Sequence, residues 1–390
     1  MKNNWRNCQL GEVLTFQRGF DITKKEQRDG PYQVFSSSGP KSTHADYKVK
    51  GPGVVIGRKG TLGSVFFTRD NYWPHDTTLW VKDFYGNDQK FAYYFTQTMG
   101  FEKLDVGAAN PSLNRNHIHT IQVQYPPLLT QRKIAAILSA YDDLIENNLR
   151  RIKILEEMAQ NLYREWFVKF RFPGHQHARF VDSPLGRIPE GWEAVTLGKL
   201  AIQIRDGVNP DSVDPETPYF GLEHLPRKSI SLTEWGLACE VQSTKLLFKK
   251  NDILFGKIRP YFHKVGVAPL PGVCSSDTIV IRPRAADWFG LVLGCASSAE
   301  FVEHATATSQ GTKMPRANWD ILVNYQIPLP PQPILGQFNG FMSGIVNQLH
   351  NFVFRNQTLR RTRDLLLPRL ISGEVDVSEL DIAVPEEVSA

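Results

Sequence analysis

The sequence predicts an α/β (α+β) chain with a pseudo-two-fold internal repeat: two similar domains separated by two long antiparallel coiled-coil helices. Three observations carry this. One ordered set of motifs occurs twice, each copy is rich in short β-type runs, and each copy ends in a matched heptad seam.

The repeat opens with Trp5-Arg6-Asn7-Cys8-Gln9-Leu10-Gly11, which returns as Trp192-Glu193-Ala194-Val195-Thr196-Leu197-Gly198 at an offset of 187. Val54-Val55-Ile56-Gly57-Arg58-Lys59-Gly60 returns as Ile253-Leu254-Phe255-Gly256-Lys257-Ile258-Arg259 at 199, and Tyr125-Pro126-Pro127 as Leu329-Pro330-Pro331 at 204. The offset drifts upward because loops differ in length between the copies. Such a period is too long for a solenoid and marks a duplicated domain. Within each copy, runs such as 53–67 and 77–81 alternate with Gly, Pro and aromatic residues and read as strands. One stretch, 89–101, reads as a helix in the first copy.

After each double proline comes a helical seam. In the first, Ile134, Leu138, Tyr141, Ile145, Asn148, Ile152, Leu155, Ala159, Leu162 and Trp166 follow one another at steps of four and three. The second seam is Phe338, Met342, Ile345, Leu349, Phe352, Asn356, Leu359, Arg363, Leu366 and Leu370, weakened by Arg363 and by Pro368 near its end. The first seam alone spans roughly 50 Å at 1.5 Å per residue, the length of a spacer. Antiparallel pairing would set Ile134 against Leu370, Ile152 against Phe352, and Asn148 against Asn356, so that each seam's buried amide finds its mate. The expected organisation is a first domain over 1–130, a helix over 131–172, a linker over 173–190, a second domain over 191–331, a helix over 332–373 and a tail over 374–390.

Composition narrows the function. The 390 residues are 41% hydrophobic and 22% charged, enough to build cores. No apolar run approaches the ~18 residues of a membrane span, and the N-terminus lacks a signal-peptide core, so a cytoplasmic protein is expected. Four scattered cysteines form neither a disulfide framework nor a CxxC zinc pair. The net charge of +5 includes six acidic and no basic residues in 374–390, which leaves +11 on the rest and suggests a polyanionic partner. The acidic tail reads as a solvated end, and Pro173-Gly174-His175-Gln176-His177 as polar linker chemistry.

Catalytic constellations are missing. No phosphate loop, HExxH, GxSxG or Glu-x-Lys sequence occurs. His117 and His119 read as a pair on one strand face. What remains suits nucleic acid. Glycines in 57–61 let a backbone approach a phosphate that Arg58 and Lys59 neutralise, with Thr61 alongside; Lys257, Arg259 and Tyr261 stand in the counterpart. A second polar loop holds Asn110, Ser112, Asn114 and Arg115, and its counterpart holds Gln310, Lys313 and Arg316. Such side chains reach base edges in a major groove. No metal site is expected.

Together these motifs resemble the specificity subunit of type I restriction–modification enzymes, over nearly the whole chain. The resemblance rests on Trp-x4-Leu-Gly at each domain start, the Gly- and Arg/Lys-rich loop, and Pro126-Pro127 followed by Gln131 and Ile134-Ala135. It also rests on Gly186-Arg187-Ile188-Pro189-Glu190-Gly191-Trp192 and on Leu370-Ile371-Ser372-Gly373. It implies two target-recognition domains, each reading one half of a bipartite asymmetric sequence in double-stranded DNA, on two central conserved spacer helices. It further implies a chain with no catalysis and no cofactor of its own. Two methyltransferase subunits using S-adenosylmethionine, and motor–nuclease subunits using ATP and Mg²⁺, would be its partners. A free-standing DNA-binding regulator, or a self-contained methyltransferase or nuclease, is the alternative.

Overall fold

The protein is described here by a computed structural model covering residues 4–104 and 112–384. It divides into two compact units, one formed by Met1–Ile145 with Thr358–Ala390 and the other by Glu146–Gln357. The division falls inside both long helices, so each unit combines β structure with its own stretch of the helix pair.

In the first unit, strands Thr15–Arg18, Thr78–Asp83, Gly53–Gly57 and Val65–Thr68 lie in that order in one antiparallel sheet. Val54, Val55 and Ile56 make Gly53–Gly57 a β-branched run, buried along its whole length. The helix Gln89–Gln97 buries Phe91, Ala92, Tyr94 and Phe95 in the same core. Asp88 starts it by accepting the Phe91 amide. A smaller sheet pairs Tyr32–Ser36 with Gly39–His44 antiparallel and with Tyr72–Pro74 parallel. Arg6–Gln9 pairs with Gln122–Tyr125 where the chain enters and leaves.

The second unit repeats the plan. Ala201–Ile204, Thr278–Pro283, Ile253–Gly256 and Val265–Val267 keep the same sheet order, and Glu193–Thr196 pairs with Gln326–Leu329. Pro218–Phe220 again runs parallel to its neighbour, Gly272–Cys274. Two helices here, Phe289–Ala296 and Ala299–Ala307, were not foreseen. The first is apolar and buried nearly all round, so it carries no amphipathic period.

The first long helix covers Leu128–Tyr163 and passes into a π-helical turn, Arg164–Val168. Buried Gln131 fixes its start: the side chain accepts the Asp88 amide and donates to Asn87 Oδ1 and the Pro126 carbonyl, each within 2.9 Å. The second helix covers Gln332–Ile371 and continues through Pro368 to buried Leu370 and Ile371. Gly373, at φ 70°, ends it, with its amide on the Leu370 carbonyl.

The helices run antiparallel in both units. In the first, Ile134 and Leu138 share a core with Leu366 and Leu370, and the misfit Arg363 donates to Asp142 at 2.6 Å. In the second, Asn148 Nδ2 donates to Asn356 Oδ1 at 2.8 Å, the Arg151 guanidinium lies over the Phe352 ring, and Trp166 meets Phe338. Ile145, Ile152, Ile345 and Leu349 are buried, while Leu155, Leu162 and Leu359 are partly covered.

Three expectations are corrected. The segment 173–190 is no bare linker: Phe180–Ser183 and Gly186–Pro189 form a hairpin, and Phe172, Ile188 and Trp192 are buried in the second unit's core. The described part of the acidic tail is not wholly solvated, because Val377 is buried against the first unit, with Val375 and Ile382 beside it. His117 and His119 belong to the short helix Arg115–His119, not to a strand.

The buried amide pair gives a stability prediction. Asn148→Ala strands the Asn356 carboxamide in an apolar seam and should cost about 1–3 kcal/mol. Replacing both asparagines by leucine should restore most of that loss while relaxing the register. Urea denaturation of the three variants checks this, and an Asn148→Ala protein as stable as its parent would contradict it.

Candidate nucleic-acid interface

In the first unit the buried strand Gly53–Gly57 runs out into the loop Gly57-Arg58-Lys59-Gly60-Thr61. Gly57 permits the turn: a Cβ there would sit 2.8 Å from the Ser37 carbonyl and closer still to that of Thr61. Gly60 and Gly63 take φ values of 78° and 73°, a region open to glycine. The backbone is then laced down on both sides. The Arg58 and Lys59 amides donate to the Thr77 carbonyl at 2.8 and 3.1 Å, and the Leu113 amide donates to the Arg58 carbonyl at 3.0 Å. Lys59 also forms an antiparallel bridge with Ser112. The two polar loops are therefore one site.

With the backbone satisfied, the side chains are left for other work. Lys59, Ser112 and Arg115 are exposed, and Arg58 is half-buried. Burial, and then the like charge of Arg18, lower the Arg58 pKa, against the attraction of Asp76. Asp76 in turn accepts from Arg18 at 2.9 Å and lies 2.9 Å from His75 Nδ1. The cationic groups Arg18, Arg58, Lys59 and Arg115 thus outnumber this carboxylate.

The second unit has the same lacing with different side chains. The Lys257 amide donates to the Asp277 carbonyl, the Ala317 amide to the Lys257 carbonyl, and the Arg259 amide to the Pro315 carbonyl, all within 2.9 Å. Ile258 bridges Arg316, which also pairs with Gln310. Arg259 takes φ 50°, and its guanidinium reaches the Lys313 carbonyl at 3.4 Å. Arg316 lies 3.4 Å from Asp277, and Tyr261 is exposed.

Some expected readers have other tasks. Asn114 caps the helix Arg115–His119, its Oδ1 accepting the Asn116 amide at 3.0 Å. Thr61 is exposed, and its carbonyl backs against Gly57. His119 accepts the Phe16 amide at 2.9 Å, and burial, then Arg115, lower its pKa. Asn110 lies outside the described residues. Three features near the loops went unread in the sequence: Arg18, Arg227, whose guanidinium lies 4.0 Å from the Phe262 ring centroid, and a cleft of about 810 Å³ beside the first loop. The pair Arg227-Lys228 was the available signal for the second.

Comparison with known proteins bears on the family and the fold. The family described as type I restriction modification DNA specificity domain matches residues 2–157. The type I restriction enzyme HindI specificity subunit of Haemophilus influenzae is 35% identical over 331 residues, covering 68% of this chain and 71% of that protein. The MjaIX specificity subunit of Methanocaldococcus jannaschii is 26% identical over 386 residues, covering 95% of this chain and 85% of its own. In fold, the chain is similar to the crystal structure of a type I restriction–modification S subunit from M. genitalium. The TM-score is 0.63 at 15% identity, over 94% of this chain and 96% of that one.

If the laced loops meet phosphates, Arg58→Ala with Lys59→Ala should weaken duplex DNA binding at every sequence. The slope of log K against log salt should fall by up to about two, roughly 0.9 per lost contact. Titrations at several salt concentrations measure this, and an unchanged slope in a folded variant would make these residues ordinary solvated turn charges.

Proposed function

Since this chain belongs to the specificity subunits of type I restriction enzymes, the DNA sequence-recognition components of those systems, we propose that each of its two units reads one half of a bipartite, asymmetric target in double-stranded DNA. The observation that carries this is the repeated lacing: one backbone frame presents Arg58, Lys59 and Arg115 in the first unit and Lys257, Arg259, Lys313 and Arg316 in the second. A shared frame holds similar phosphates, while unlike side chains meet unlike bases. Two half-sequences that differ from each other follow.

The long helices are assigned to scaffolding and to setting the spacing of the half-sequences. They carry exposed apolar side chains, Leu144, Ile154, Met158, Phe341 and Leu365, for which a protein partner is the natural cover. Two methyltransferase subunits using S-adenosylmethionine, and motor–nuclease subunits using ATP and Mg²⁺, are the proposed partners, and the covalent chemistry is assigned to them. Among the described residues no helix is long and apolar enough to cross a membrane. A cytoplasmic location is proposed on the same reading.

Exchange of residues 1–125 for the matching segment of a relative tests the assignment. Mapping of methylated bases in cells carrying the chimera should show one half-sequence replaced, with the other half and the spacing retained. A chimera whose two halves both change, or whose spacing changes, would contradict it. Methylation by the purified chain alone would place it among self-contained enzymes instead.

A further inference from the structure

Beside the first unit's basic loop lies the cleft of about 810 Å³, and Gln27, Ser37, Ser38, Lys41 and Thr77 stand on its walls. It is joined to the loop directly. The Ser37 carbonyl lies 2.8 Å from where a Gly57 Cβ would stand, and Ser37 Oγ lies 3.6 Å from the corresponding point on Gly60. Thr77, on the wall, is the residue whose carbonyl takes the Arg58 and Lys59 amides. A strand whose phosphates met Arg58 and Lys59 would have its bases within reach of this cleft.

The cleft has built polar walls. The turn between Tyr32–Ser36 and Gly39–His44 is closed by Gly39 at φ 102°, and Ser36 Oγ ties itself to Ser38 Oγ and to the Gly39 carbonyl, each at 3.1 Å. That leaves the Ser37 hydroxyl at the apex of a fixed turn. Ser42 Oγ donates to Gln27 Oε1 at 2.6 Å, which holds the carboxamide in place with Nε2 as its donor group. A held amide donor beside a serine hydroxyl and a lysine is the chemistry that reads purine N7 and O6 in a major groove.

The second unit independently marks the same place in the fold. There the segment after the parallel strand Pro218–Phe220 also leans on the basic loop. Lys264 Nζ donates to the Leu222 carbonyl, the Lys228 amide donates to the His263 carbonyl at 2.8 Å, and Arg227 stacks on Phe262. Below it, buried Glu156 of the first long helix accepts Ser229 Oγ and the Ser231 amide, at 2.6 and 2.9 Å. Position in the fold is kept between the two units and side-chain chemistry is not, as an element that meets a different half-sequence in each unit would require.

We propose that the cleft beside the basic loop in the first unit, and the segment after Pro218–Phe220 at the corresponding place in the second, determine base specificity, and that in the first unit Gln27, which precedes the parallel strand, and Ser37, which follows it, read base edges of one half-sequence from the cleft. The inference rests on the half-site reading above and adds the residues that discriminate. The test uses the native complex, isolated through a tag on the full-length chain and incubated with a random pool of DNA duplexes. Bound duplexes are sequenced for the parent and for the Gln27→Ala and Ser37→Ala variants. The expected result is a loss of about tenfold in preference at one to three positions, all within one half-sequence. The other half and the salt slope should stay unchanged. Arg227→Ala should act likewise on the opposite half. If the parent selects a bipartite sequence and folded variants select it unaltered, or bind all sequences uniformly less well, the inference is overturned and the half-site reading stands. If the parent selects no bipartite sequence, the half-site reading itself fails.

Discussion

The hydrogen bond from the Leu113 amide to the Arg58 carbonyl, matched in the second unit by Ala317 on Lys257, is the contact on which each candidate interface depends. A loop leaving a buried strand carries polar backbone groups that must be satisfied near the protein surface. Here a neighbouring polar segment satisfies them. The loop is held as an extension of the sheet chiefly by backbone hydrogen bonds, to which Arg58 and Arg259 add reaches of 3.4 Å to the Asp76 and Lys313 carbonyls. A cation held in place gives up less conformational freedom on meeting a phosphate than one on a mobile loop. The same constraint explains Gly57, where any side chain would collide with the Thr61 carbonyl, and the left-handed backbone of Arg259.

The helix pair obeys a different constraint. An apolar heptad seam tolerates several registers, and polar residues select one of them. Asn148 with Asn356, and Asp142 with Arg363, are two such selections, one in each unit. The asparagine pair is buried and the Asp142–Arg363 pair partly buried, and both define where one helix stands against the other. Glu156 extends this to the second unit's segment after Pro218–Phe220, which is hydrogen-bonded to the helix by way of two serines.

The seam was legible because its steps of four and three are written in residue type along one continuous stretch. Arg363 was visible as a misfit there, but its partner Asp142 was not, because it sits beside the seam. Phe289–Ala296 escaped notice because burial on all sides erases the amphipathic period that marks a surface helix. The basic loops could be read from glycine and charge recurring at one place in both copies. Their union with the second polar loop could not, since Arg58 and Leu113 lie far apart in sequence. The cleft is harder still, assembled from Gln27, a serine turn and Thr77, none of which carries a motif. The segment 173–190 misled through composition: Ile188 is one of its few apolar residues, yet with Phe172 and Trp192 flanking the segment it decides that it packs.

The claim that these laced loops are the DNA-contacting surface is tested most directly by lysine footprinting. The native complex would be labelled with an amine-reactive reagent, with and without its target duplex, and the modified peptides quantified by mass spectrometry. Lys59, Lys257 and Lys313 should lose most of their reactivity when the duplex is bound. Equal labelling of all three with and without bound DNA would contradict the account.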